Sequence, residues 1–444
     1  MTLFDSLTET RYTVKQRETT VVSTTHLELT TLSHIPGADT RRIAVHVTPE
    51  AERALRHGHP WLFGHAIRHQ SHEGNPGDLA VVFDHRRRFL AVGLYDPHSS
   101  IRVRVLHHGK PATIDRDWFR GKLATAAQLR APLLKGPSKV VTTGYRLVHG
   151  ENDDLPGLVI DRYGQTSVVK IYTAAWIPHL RDVLSALVDV IPFERLILRL
   201  GRAMLEQPQD LYGLGDGAIL FGPGSDGPVL FQENGLYFEA DPVHGQKTGF
   251  FLDQRDNRAR VEKLAAGKTV LNVFAYTGGF SVYAARGGAR EIVSVDASAP
   301  ALEATIRNMA HNRHIPSVAT ASHETVTQDA FEALAQMAKM GRRFDMVIVD
   351  PPAFAKKQDQ APQALTAYER LTRLSLDILR PEGILVQASC SSRVDAETFY
   401  ETINSAAAQA GRPLREIERT GHALDHPITF KEGAYLKCLF AIAP

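Results

Sequence analysis

The sequence predicts an α/β protein whose C-terminal half is a doubly wound, mostly parallel sheet, preceded by a small β-barrel and a central α+β unit. Three observations carry this. The stretch Val270 to Val282, VLNVFAYTGGFSV, is a β-branched and aromatic run that breaks at Thr277-Gly278-Gly279 and turns helical. After it, apolar strands alternate with amphipathic helices at the spacing of βαβ units. Before it, from Ile43 to Lys110, the chain reads as short alternating strands punctuated by glycine and proline, as small barrels do.

In order, residues 1–40 are rich in threonine and poor in large apolar clusters, so a loose extension is expected. Residues 41–110 carry the strands IAVHV, DLAVVFD, FLAVGLYD and IRVRVLH, with a short helix in PEAERALR. This segment holds eleven Lys or Arg against six Asp or Glu, and ten of the chain's twenty histidines. A basic barrel with aromatics near a turn suits RNA. Arg86, Arg87 and Arg88 in a hairpin turn are candidates for phosphate contact. Trp61 is a candidate RNA contact, although Trp61 and Phe63 fit a barrel core equally well.

Residues 111–228 form the central unit. The run WFRGKLATAAQLRAPLL is helical, TSVVKIYT is a strand, and IPHLRDVLSALVDV is an amphipathic helix. The acidic turn Glu151-Asn152-Asp153-Asp154 lacks the alternating oxygen ligands of a calcium loop and reads as a turn, and no metal site is expected. Gly, Pro and Asp crowd positions 213 to 228, which predicts a flexible connection. The catalytic domain is then 229–444.

In that domain the adjacent glycines let the backbone approach a ligand closely. EIVSVDAS places Asp296 at the end of the next strand, where an acid accepts ribose hydroxyls. The dinucleotide pattern G-x-G-x-x-G is absent, which disfavours NAD and favours S-adenosylmethionine. A weaker strand is read at Gln328 to Phe331. Asp350-Pro351-Pro352 follows the strand FDMVIVD, and prolines there hold the exit extended, leaving carbonyls and the Asp350 carboxylate free to grip a flat heterocycle. Cys390, in SCSS, ends the next strand. A thiol there can be reactive, with positive charge from Arg393 or a helix beginning near Asp395 lowering its pKa, while on the residues alone a small buried hydrophobe is the commoner role for a free cysteine. Cys438, inside LKCLFAIA, reads as a buried hydrophobe. The stretch His244 to Arg258, HGQKTGFFLDQRDNR, reads as a functional loop entering a helix.

The net charge of +2 decides nothing about partners. Two cysteines exclude a disulfide framework and suit a reducing, cytoplasmic setting. No apolar run reaches the roughly 20 residues of a membrane span, and the N-terminus has no signal layout. A homodimer is left open.

Taken together, KTGFFLDQR, NVFAYTGGFSV, VSVDAS, VDPPAF and SCSS, after a basic barrel carrying HPWLF, resemble the large-subunit ribosomal RNA cytosine-5 methyltransferase family of the methyltransferase I type. The resemblance runs from about Ile43 to the C-terminus. It implies a PUA barrel, a linking α+β domain and a class I S-adenosylmethionine-dependent methyltransferase domain acting on ribosomal RNA. It further implies that Asn272 and the turn Phe274, Ala275, Tyr276, Thr277, Gly278 and Gly279 hold the cofactor, with Asp296 on the ribose and Asp329 on the adenine. Lys247, Thr248, Gly249 and Phe250 would wall that site together with Asp350 and Pro351, supported by Asp253 and Arg255. Cys390 would add to carbon 6 of cytosine, with Asp350 holding the base edge. Other cytosine-5 RNA methyltransferases have a second cysteine where this chain has Asp350-Pro351-Pro352. Amino-group methylation of a purine through Asp-Pro-Pro therefore stays an alternative, as does a non-catalytic RNA-binding or assembly factor.

Overall fold

The computed structural model describes residues 32–135, 141–224, 227–355 and 357–444. The expectation for residues 1–31 lies outside them. The N-terminal domain is a six-stranded mixed sheet of β1 (Ile43–Val47), β2 (Trp61–Phe63), β3 (Ile67–Gln70), β4 (Leu79–Phe83), β5 (Phe89–Tyr95) and β6 (Ile101–His108). Its order is β2-β6-β5-β4-β1-β3, so edge strands β2 and β3 are not paired and the barrel is open along that seam. Ile43, Val45, Leu62, Val82 and Val103 fill its core. Alternation along β2 buries Leu62 and turns Trp61 and Phe63 outward, so these two aromatics are not the core.

The central domain packs two helices, Arg116–Leu134 and Leu180–Val190, on one sheet. Its strands are β7 (Gly144–His149), β8 (Leu158–Tyr163), β9 (Thr166–Ile171), β10 (Arg195–Leu200) and β11 (Ile219–Phe221), in the order β11-β10-β9-β8-β7. Strand β11 lies inside the segment expected to be a flexible connection: its pairing with β10 buries Leu220 in the domain core. Leu32 and Ile35 join the same core, and Arg181 donates to the Leu32 carbonyl at 2.9 Å. Residues 32–40 are thus partly anchored, where the sequence predicts a loose extension up to residue 40.

A hairpin of β12 (Val229–Glu233) and β13 (Leu236–Ala240) opens the catalytic domain. Its two-residue turn, Asn234-Gly235, has positive φ at both positions (49° and 79°), as a primed turn requires. The main sheet comprises β14 (Thr269–Val273), β15 (Glu291–Asp296), β16 (Ser322–Thr327), β17 (Phe344–Val349), β18 (Leu379–Ser389), β19 (Arg415–Thr420) and β20 (Lys437–Ala443). The order is β16-β15-β14-β17-β18-β20-β19, parallel except where β20 runs against β18 and β19. Alternate residues face two separate cores: Val270, Met346 and Ile348 on one side, Leu271, Val347 and Val349 on the other. Burial on both faces is why these strands read as unbroken apolar runs. The third strand is SHETVT, with Asp329 beyond it capping the helix Ala330–Lys339; Gln328 to Phe331 is not a strand, because the Asp329 carboxylate takes the N–H groups of Phe331 and Glu332. Among the described residues no helix is long and apolar enough to cross a membrane. Strand order reverses between β14 and β17, and the crevice at such a point is where α/β sheets bind ligands.

Candidate active site

The turn after β14 is held in a conformation that few sequences tolerate. Phe274 and Tyr276 have φ of 62° and 49°, and strain of this kind persists only where surroundings enforce it. Tyr276 N donates to Asp296 Oδ2 at 2.8 Å, and Thr305 Oγ1 donates to the Tyr276 carbonyl at 2.9 Å. Gly278 is obligatory: its φ is 76°, and a Cβ there would stand 2.3 Å from Thr305 Cγ2.

Over this turn lies a cavity of about 300 Å³. Phe250, Phe251, Phe274 and Phe280 give it apolar walls, and Thr277, Asp296, Asp329 and Asp350 give it polar ones. The Thr277 hydroxyl is buried and without a partner among the described residues, and both Asp296 oxygens already hold one backbone N–H while keeping lone pairs for a ligand. Acids at successive strand ends, an unpartnered hydroxyl and aromatic walls fit the ribose, amino-acid and adenine parts of S-adenosylmethionine.

Of the residues expected on this cofactor wall, Lys247, Phe250, Phe274, Ala275, Tyr276, Thr277, Gly279, Asp296, Asp329, Asp350 and Pro351 line the cavity. Asn272 does not. It is fully buried within β14, where its Nδ2 donates to Ser281 Oγ at 2.9 Å. Gly249 packs against the Asp241 carbonyl and Gly278 against Thr305, so both shape the backbone from behind. Thr248 turns to the other side, donating to Asp161 Oδ2 at 2.5 Å.

That other side is a second cavity of about 560 Å³ where all three domains meet. Among the described residues only Lys247 and Cys390 line both cavities. Lys247 Nζ donates to Asp253 Oδ2 at 2.8 Å, and Tyr435 OH donates to the same oxygen at 2.8 Å. The buried ammonium beside it holds the Asp253 carboxyl well below the usual carboxylate range despite burial. Asp253 and Tyr435 thus fix Lys247 at the partition. Arg255 stands away, donating to Asp425 Oδ1 at 2.9 Å.

Asp350 is oriented by a directional chain. Thr420 Oγ1 donates to Asn257 Oδ1 at 2.5 Å, Asn257 Nδ2 to Gln254 Oε1 at 2.6 Å, and Gln254 Nε2 to Asp350 Oδ1 at 2.9 Å. Burial and the neighbouring Asp253 charge push the Asp350 carboxyl up to about 7. Cys390 Sγ lies 3.8 Å from the Pro351 carbonyl. Burial pushes its thiol up to about 11, with Lys247 the main opposing influence. The expected lowering is therefore not found: desolvation outweighs the nearby cations. The SCSS loop is pinned by Lys437, which donates to the carbonyls of Ser391 and Val394, and whose own pKa burial lowers to about 8. A lone lysine inside the apolar strand KCLFAIA is the signal that could have marked it. Gln254 stood among the polar residues of the predicted loop, but its partner did not.

Trp61 also lines the second cavity, its Nε1 donating to Glu151 Oε1 at 2.9 Å. The Arg86 to Arg88 turn is elsewhere. The register that sets Ala91 against His108 and Tyr95 against Val103 puts that turn at the far end of β5 from Ile101, which lines the cavity. All three arginines are exposed, and Arg88 pairs with Asp84 at 2.8 Å.

A family described as S-adenosylmethionine-dependent methyltransferase matches residues 227–439, and a PUA-like domain family matches 45–108. A protein named ribosomal RNA large subunit methyltransferase from Deinococcus radiodurans is 47% identical over 91% of this chain and 98% of its own length. A ribosomal RNA large subunit methyltransferase I of Pseudoalteromonas translucida is 36% identical over 89% of this chain and 98% of its own. In fold, a structure from Streptococcus mutans described as a SAM-dependent methyltransferase superposes with a TM-score of 0.75 at 23% identity, covering 90% of this chain and 99% of its own. The cofactor is S-adenosylmethionine, and the chain belongs to the family that bears the name ribosomal RNA large subunit methyltransferase.

Proposed function

We propose that the protein methylates carbon 5 of a cytosine in large-subunit ribosomal RNA through a transient bond between Cys390 and the base. The observation that carries this reading is the position of Cys390 in the wall shared by the cofactor cavity and the three-domain cavity. Names of relatives supply the RNA, and position supplies the chemistry.

Carbon 5 of cytosine is a weak nucleophile. Addition of the Cys390 thiolate to carbon 6 makes carbon 5 enamine-like. Protonated Asp350, with its carboxyl near 7, donates to ring nitrogen N3 and stabilises the charge that develops there. Bound S-adenosylmethionine supplies the methyl group. Loss of the carbon 5 proton to a base then re-forms the ring double bond and expels the thiolate. Reaching the cavity requires the cytosine to leave its stack, at a cost of about a few kcal/mol.

Amino-group methylation of a purine is the competing chemistry, and one feature argues against it. The aromatic of Asp-Pro-Pro-Ala-Phe, Phe354, is half-buried against Tyr368, Phe274 and Phe331 at 5.3, 6.5 and 6.4 Å between centroids, and lines neither cavity. It is not placed to stack on a base. The deciding experiment is mass spectrometry of ribosomal RNA methylated by wild type and Cys390→Ala. The reading expects 5-methylcytosine from wild type and no product from the variant; methylation that persists in Cys390→Ala overturns it.

A further inference from the structure

We infer that the three-domain cavity holds a second, unstacked RNA nucleotide next to the modified one, with its phosphate on Arg104 and Lys170 and its ring on Tyr172. This rests on the reading of the protein as an RNA methyltransferase. A cavity of about 560 Å³ is larger than one pyrimidine fills, and Cys390 occupies only its inner wall.

The cations facing it differ in how they are paired. Arg146 is neutralised by a two-bond pair with Asp161, and Lys247 by Asp253. Arg104 and Lys170 are held less closely. Arg104 is 7% exposed, its nearest carboxylate is Asp96 at 4.0 Å, and its hydrogen bonds go to Ser99 Oγ and the Ile101 carbonyl at 3.4 and 3.2 Å. Lys170 Nζ donates to the Lys247 carbonyl at 3.1 Å and has no carboxylate within ion-pair distance among the described residues. A buried arginine and a half-buried lysine, both weakly paired and lining one cavity, suit a phosphate, which accepts from both.

The rings indicate that the phosphate belongs to a nucleotide. Tyr172 is 49% exposed at the cavity, far more than a large aromatic needs to be, with Lys170 Nζ 5.4 Å from its ring centre. A base has a π-face for such a ring whatever its identity. Across the cavity Trp61 is fixed edge-on to Phe430 at 5.3 Å and by its bond to Glu151, whose carboxylate can accept from a base amino group. Stacking faces, two weakly paired cations and a carboxylate describe a nucleotide site rather than an inorganic-anion site. Barrel and central domain would then read the neighbour while the catalytic domain acts on the target.

Tyr172 is half exposed and belongs to none of the hydrophobic cores, so its replacement is expected to leave them intact. With in-vitro transcribed large-subunit ribosomal RNA as the probe, Tyr172→Ala is expected to raise the RNA KM about tenfold. The kcat and the affinity for S-adenosylmethionine should stay unchanged, and Tyr172→Phe should restore wild-type behaviour. Lys170→Gln should weaken RNA binding and flatten its dependence on log salt by about one contact, whereas Tyr172→Ala leaves that slope alone. An unchanged KM in both Tyr172→Ala and Lys170→Gln, in a protein whose wild type methylates the transcript, overturns the nucleotide site and spares the methyltransferase reading. If wild type makes a methylated purine and Tyr172→Ala still raises KM, the cytosine reading falls and the site stands. A wild type that neither binds nor methylates ribosomal RNA overturns both.

Discussion

Gln254 Nε2 donates to Asp350 Oδ1 at 2.9 Å, and the amide that makes this bond is itself locked by Asn257 and Thr420. The donor side of Gln254 therefore always faces the carboxyl. On the proposed reading, the second oxygen of Asp350 is the one that meets the base, as proton donor or acceptor.

Asp350→Asn separates stability from catalysis. The folded-state pKa of about 7 lies above the ordinary 3.8, so folding takes up a proton between those values and stability falls as pH rises through that window. Asn abolishes the ionisation while still accepting from Gln254. Relative to wild type, the variant should gain stability above about pH 7, at about 1.4 kcal/mol per pKa unit removed, and lose most of that advantage below about pH 4. Methylation should fall about a hundredfold or more. Thermal melts across pH and single-turnover assays check the two halves.

Cys390 is the partly buried thiol and Cys438 the fully buried one, so alkylation reports mainly on Cys390. With the Cys390 thiol at about 11, only about one in a thousand is ionised at about pH 8, and its alkylation rate should climb with pH across the whole usable range. Lys247→Met removes the main influence favouring the thiolate and should slow alkylation further. A plateau near neutral pH in the unliganded wild type would contradict the buried-thiol geometry.

Lys437 acts on Cys390 through the loop, as a positioning residue. Lys437→Met keeps the buried stem but leaves the carbonyls of Ser391 and Val394 without their donor. The expected outcome is a lower kcat with unchanged S-adenosylmethionine affinity and a still less reactive Cys390 thiol. Equal losses in kcat and cofactor affinity would point instead to general unfolding.

Asp425 joins the domains. Its carboxylate accepts from Arg255 Nη2 and Arg146 N at 2.9 and 2.8 Å, and its carbonyl from Arg130 Nη2 at 2.9 Å. Asp425→Ala leaves the buried Arg255 guanidinium with only its longer bond to Asp256 at 3.3 Å, a loss of up to about 3–5 kcal/mol. Denaturant unfolding should show that loss.

Deleting the N-terminal domain would expose the faces that Asp96, Arg104 and Trp61 cover through Thr173 and Glu151, so point changes are the cleaner probe of its role. Arg86→Gln with Arg87→Gln should weaken RNA binding and lower the salt slope by up to about two contacts. Arg88→Gln should do less, because Asp84 already neutralises it.

How much of this was legible follows from distance along the chain. The Val270–Val282 turn, Asp296, Asp350 and Cys390 each announce themselves within a dozen residues, because strand, exit and ligand-facing side chain are consecutive. Thr248 misleads in the same local reading. Positive φ at Lys247 and Gly249, 55° and 129°, lets the backbone send Lys247 and Thr248 to different partners, and no residue pattern states that. The second cavity was invisible for a plainer reason: Trp61, Tyr172 and Tyr435 belong to three domains and meet only after folding. Trp61 was singled out as an RNA contact, but nothing in its neighbourhood foretold Glu151 as its partner.

Lys247 and Cys390 give the enzyme two cavities that share a wall. On the proposed reading, the cofactor occupies one of these cavities and the RNA reaches Cys390 from the other, so binding of either would leave the other's cavity open. A molecule linking an adenosyl group to a pyrimidine across that wall would occupy both chambers at once, and its affinity would measure how well the two halves of the reaction are aligned.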